Sequence, residues 1–140
     1  MVASTAATPT GSLPQVRFVP GGGGTAVTLP IEVPPDCEYG IGLSGRKALA
    51  DRGMLFYFPD TSDVPFWMLD THIDLDIAFV DSGLKVLAVE TMKADTRDYH
   101  KPSARYLAAI EAPAGWYAAR AIKPGATVVF DFDLKAATGR

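Results

Sequence analysis

Cysteine is almost missing from this chain of 140 residues: with Cys37 alone it closes no internal disulfide and builds no multi-cysteine zinc or iron–sulfur site. Histidine is nearly as scarce, limited to His72 and His100. Basic runs are absent as well. The 13 Lys and Arg against 16 Asp and Glu give a formal charge of −3, and no stripe of cations exists to neutralise a series of phosphates. That argues against duplex nucleic acid as a partner. No stretch approaches the roughly 18 uninterrupted apolar residues of a membrane span. The opening Met1-Val2-Ala3-Ser4-Thr5 has neither the basic region nor the apolar core of a secretory signal, so the expected setting is cytoplasmic or virion-associated. Catalytic patterns are lacking too. There is no Gly-x-Ser-x-Gly, no phosphate loop around Gly21 to Gly24, and no partner specified for a Cys37 and His100 dyad, so neither catalysis nor a cofactor is expected.

What the chain does have is apolar content of 48%, ample for one packed domain of this length. Residues 1–24 are rich in Ala, Thr, Ser, Pro and Gly and read as a flexible N-terminal arm. Within it, Gln15-Val16-Arg17-Phe18-Val19 alternates polar and apolar residues as a short strand does, so Val16, Phe18 and Val19 are expected to dock the arm on a neighbouring subunit. Deleting residues 1–24 would then leave the domain folded. Residues 25–135 form the domain and 136–140 a C-terminal tail.

From Thr25 onward, short apolar segments are punctuated by Gly, Pro, Asp and Ser, the pattern of many short strands joined by turns. Strands are expected over 26–33, 54–58, 65–70, 75–80, 85–91, 104–111 and 127–133. The turn Asp81-Ser82-Gly83 is the clearest hairpin signal. Two short helices are expected, one from Ser44 as N-cap to Asp51 with Gly53 beyond it, the other over 114–121.

Three motifs stand in order along the chain: Gly42-Leu43-Ser44-Gly45-Arg46; Gly53-Met54-Leu55-Phe56-Tyr57-Phe58; and Phe66-Trp67-Met68-Leu69-Asp70-Thr71 followed by Leu75-Asp76-Ile77-Ala78-Phe79. Together they resemble the signature of the domain of unknown function 192 family, and the resemblance runs over roughly residues 26 to 130, through Glu111 and Gly115. It implies a compact β-sandwich or jelly-roll-like barrel and no established activity.

Four residues are candidates for binding a ligand: Arg46, Trp67, Thr71 and Asp76. Arg46 is either a bidentate anchor for a carboxylate or phosphate with Thr71 beside it, or the internal partner of Asp76 or Glu111; the internal pair is favoured. Trp67 is expected in the core and Trp116 at the surface. His72, Asp74 and Asp76 recur at the spacing that shares one strand face, a weak candidate metal set set against the commoner solvated acidic edge. The favoured reading is a non-enzymatic β module that assembles with other protein subunits or copies of itself, as in a virion or other multi-copy particle. The alternative is a domain that binds a small ligand, a carbohydrate or a metal.

Overall fold

The computed structural model describes residues 8–46 and 48–140; residues 1–7 of the expected arm and Lys47 of the expected first helix lie outside the described residues. The chain is all-β with two short helices. Its strands are β1 (Gln15–Val19), β2 (Val27–Glu32), β3 (Gly53–Ser62), β4 (Leu75–Val80), β5 (Val86–Met92), β6 (Tyr106–Pro113) and β7 (Thr127–Phe130), with α1 (Trp116–Ala119) and α2 (Leu134–Thr138). The strands hydrogen-bond into one seven-stranded sheet of order β5-β4-β6-β3-β2-β1-β7, within the all-β class expected. Every pairing is antiparallel except β2 with β3, which are parallel over Ile31↔Gly53 and Glu32↔Met54.

Core lies on both faces of this sheet. One face gathers Val16, Phe18, Leu29, Ile31, Leu55, Ile110 and Val128, with Tyr117 of α1 packed among them. The other gathers Met54, Phe56, Leu75, Ile77, Phe79, Tyr106 and Ala109, covered by the two long connections that carry Leu43, Leu49 and Met68. Two covered faces explain why β4 is buried at all of its positions and why its sequence is a nearly continuous apolar run. Gly53 is required where β3 begins, because a Cβ there would collide with the Glu111 carbonyl oxygen and with the Leu29 side chain. The outermost strands approach each other at one end: the Val86 N–H donates to Ala126 O at 2.9 Å and the Val128 N–H to Leu84 O at 2.8 Å.

Several expectations are corrected here. The stretch expected to form an extending arm contains β1, which lies between β2 and β7 of its own chain; Val16 and Phe18 are fully buried there, and Val19 is half-buried. Phe18 packs edge-on against Tyr117, with ring centroids 5.4 Å apart. Alternation identified the strand, but it carries no information on which neighbour the strand chooses. Among the described residues from Ser44 to Asp51 there is no helix: Gly45 and Ala50 take φ of +80° and +62°, outside helical backbone. Residues 65–70 form no strand, only an isolated bridge between Phe66 and His100. The expected tail is also folded: the Asp133 carboxylate caps α2 by accepting from the Lys135 and Ala136 N–H groups, and Arg140 donates to Tyr57 O at 2.9 Å. Among the described residues no helix is long and apolar enough to cross a membrane.

Candidate functional site

The two long connections on the second face, 33–52 and 63–74, are stitched together where the Gly45 N–H donates to Asp70 O at 2.7 Å. Leu43 and Met68 sink into the core and fix them to the sheet. Between them opens a pocket of about 310 Å³, at the small end of the roughly 300–1,000 Å³ range of ligand sites. Its walls are aromatic: Tyr39, Phe56, Phe58, Phe66 and Trp67. These rings hold one another edge-on, with Tyr39 and Phe56 centroids 5.2 Å apart and Phe56 and Phe66 centroids 5.1 Å apart. Tyr39 is anchored at its far end, because its hydroxyl accepts from the Tyr57 N–H at 2.9 Å.

At the rim the chain spends its exposed apolar surface. Among the described residues the exposed large hydrophobics are Ile41 at 60%, Val64 at 55%, Trp67 at 43% and Tyr99 at 70%. Ile41, Val64 and Trp67 line the pocket, and Tyr99 lies against Trp67 with ring centroids 5.8 Å apart. Single exposed apolar residues are ordinary, but their convergence on one concave site is not.

Glu111 of β6 also lines the pocket. In the sheet it stands between Met54 of β3 and Ile77 of β4, so its side chain rises from the second face into apolar surroundings. It is 5% exposed; among the described residues the fully enclosed side-chain atoms without a hydrogen-bond partner are Arg17 Nε and His100 Nε2, and the Glu111 carboxyl is not one of them. Burial pushes its pKa from the ordinary 4.5 up to about 8, because no nearby charge or donor offsets the loss of water. At neutral pH it is therefore mostly a neutral acid.

Of the four ligand candidates named from sequence, this pocket unites two. Trp67 is at its rim and Thr71 in its wall, with the Thr71 hydroxyl donating to Leu69 O at 3.5 Å. Trp67 faces solvent because its neighbours Phe66 and Met68 turn inward; Trp116, expected at the surface, is half-buried against Phe18 and covered by the Arg120 guanidinium 4.4 Å from its ring centroid. Arg46 and Asp76 stand elsewhere. Arg46 makes a bidentate pair with Glu32, at 3.0 and 2.9 Å, rather than with Asp76 or Glu111. Those hydrogen bonds raise the pKa of Arg46, and Arg52 supports the same carboxylate at 3.6 Å. Glu32 is only 1% exposed, so losing its main partner is costly. Arg46→Met is expected to lower the unfolding free energy by about 3 kcal/mol in urea titrations. Unchanged stability would return Arg46 to the list of ligand contacts.

Asp76 projects from the opposite face to Glu111, accepting from the Gly115 N–H and the Thr91 hydroxyl at 2.9 Å each. It thereby holds the turn leading into α1. His72 pairs with Asp95 at 2.7 Å and Asp74 accepts from the Ala94 N–H at 2.8 Å, so the expected metal set is dispersed. Among the described residues no group of three metal-ligating side chains converges.

Tyr39, Ile41, Phe56, Phe58 and Glu111 are pocket residues that sequence reasoning did not place in a site. One signal existed for Glu111: a lone acid inside the apolar run Leu107-Ala108-Ala109-Ile110-Glu111-Ala112.

Comparison with known proteins agrees with the fold and leaves the ligand open. A protein of unknown function from Novosphingobium aromaticivorans is 27% identical, with a TM-score of 0.78 over 92% of this chain and 94% of its own. A candidate transcription regulator from Sinorhizobium meliloti is 26% identical, with a TM-score of 0.73 over 84% of this chain and 92% of its own. No curated protein matches. The profile of domain of unknown function 192, described as "Uncharacterized ACR", matches residues 23–130, most of the chain's length. The chain belongs to that family.

Proposed function

We propose that this protein is a binding module for a small, largely apolar ligand, held in the aromatic pocket between the two long connections and oriented by Glu111. One observation carries the reading: among the described residues the exposed large hydrophobics converge on a cavity whose one acidic lining residue, Glu111, is buried. Both features cost free energy in the absence of a ligand. Apolar surface stays in water at the rim, and the Glu111 carboxyl is cut off from most of its water, so an occupant that covers one and hydrogen-bonds the other recovers both. Assembly through residues 1–24 has less support, since Val16 and Phe18 are already committed to the chain's own core.

The test is a screen of small aromatic alcohols, amines and monosaccharides by amide and indole NMR shifts. Binders are expected to move resonances of residues 39–43 and 64–71 together with the Trp67 indole, and to raise the melting temperature. Trp67→Ala is expected to weaken them by about tenfold, the effect of losing one aromatic contact at a rim. Shifts scattered over the surface, or none from any compound, would refute the proposal.

A further inference from the structure

Resting on that reading of the pocket, we infer that its ligand is an organic cation, an ammonium or amidinium group carried on an apolar or aromatic body, whose charge is received by Glu111 and by the surrounding ring faces. The argument is one of charge complementarity. Among the described residues the lining contains a carboxyl and five aromatic rings and no Lys, Arg or His. Anions need donors, and here the N–H groups of Ile41 and Gly42 are already spent on Glu38 O at 3.0 Å. Aromatic rings present a negative face, and their attraction for a cation grows when water is excluded. A carboxyl in the lining of such a box, 5% exposed, completes a site for a positively charged donor.

Among the described residues, the charged groups that flank Glu111 along the second face of the sheet are themselves paired. Across the sheet on the β2 side, Glu32 is saturated by Arg46 and Arg52. On the β5 side, beyond Ile77, Glu90 is paired with His100 at 2.9 Å. Asp76 and the Tyr117 hydroxyl belong to the opposite face, where Tyr117 donates to Ile110 O. Arg140 lies 5.5 and 5.6 Å from the ring centroids of Tyr39 and Phe58, and of the pocket rings Trp67 is the exposed one, at 43%, available to face a ligand cation. The inferred exchange balances simply. The neutral Glu111 acid gives its proton to solvent as the ammonium group enters, and an ion pair takes its place.

The experiment compares phenethylamine with its neutral isostere 2-phenylethanol on the full chain, by NMR titration at pH 7 and pH 9. It is paired with calorimetry at pH 7 in buffers of different ionisation enthalpy. The amine is expected to bind about tenfold more tightly than the alcohol, with release of close to one proton at pH 7 and tighter binding at pH 9. Glu111→Gln is expected to abolish both the preference and the proton release while the alcohol still binds. Alcohol binding equal to or tighter than amine binding would overturn the cation while leaving the pocket reading in place. Failure of both compounds to move resonances of residues 39–43 and 64–71 would remove that reading and the inference with it.

Discussion

Glu111→Gln is expected to be more stable than the wild-type chain at pH 9, by on the order of 4 kcal/mol, and equal to it near pH 4. The sign follows from where protons sit. In the unfolded chain the Glu111 carboxyl ionises near its ordinary 4.5, whereas in the folded protein burial pushes it to about 8. Between those values the folded state holds a proton that the unfolded state has lost, so stability falls as pH rises and levels off above about 8. Glutamine has the same shape and no proton to lose. The difference between the two urea-denaturation profiles across pH 4 to 9 therefore isolates this one group. Parallel profiles would mean that the carboxyl is not desolvated, and would also weaken the case for it as a ligand contact. A residue whose replacement stabilises a protein is hard to explain by folding alone, and function is the usual reason such residues persist.

Removal of residues 1–24 is expected to abolish folding outright, measured as loss of the cooperative thermal transition. Such a deletion takes β1 from between β2 and β7, leaving both neighbours without their partner and uncovering Leu29 and Val128. A gentler probe is Phe18→Ala. Phe18 is fully buried and in ring contact with both Trp116 and Tyr117, so truncation is expected to cost about 3–5 kcal/mol. A truncated protein that still melts cooperatively at the wild-type temperature would restore the arm, and with it the assembly role.

These two residues mark what is legible in the sequence and what is not. β4 falls on the residues expected, 75–80, because a continuous apolar run bounded by Asp74 and the Asp81-Ser82-Gly83 turn states its own limits. β2, β3, β5, β6 and β7 lie within a few residues of expectation for the same local reasons, although β3 runs on to Ser62 and β7 stops at Phe130. The strand at 15–19 was equally visible, but its partner was not, since an alternating pentapeptide pairs as well within a chain as between chains. Arg46 is a similar case. An internal ion pair with Asp76 or Glu111 is what the sequence suggests, and Glu32, the actual partner, is missed because the parallel register that brings it within reach has no signature in either segment. The pocket was least visible of all. Its walls come from residues 39–43, 56–58 and 64–71, next to turns with left-handed Gly42 and Gly45 where the sequence suggests a helix starting at Ser44. Trp67 was recognised as a residue that matters, but whether a large aromatic turns inward or outward depends on the strand beneath it.

The order of the sheet also sets a clock. β1 pairs with β7, so the strand made first among the seven waits for the strand made last, across more than 100 intervening residues. During synthesis the ribosome releases the β3-β4-β5-β6 segment while Val16 and Phe18 are still without half of their cover. Local pairings such as the β4-β5 hairpin form early, and the non-local β1-β7 ladder comes late. A nascent chain stalled before residue 127 therefore exposes an apolar strand edge, which makes it a substrate for chaperones and for aggregation alike.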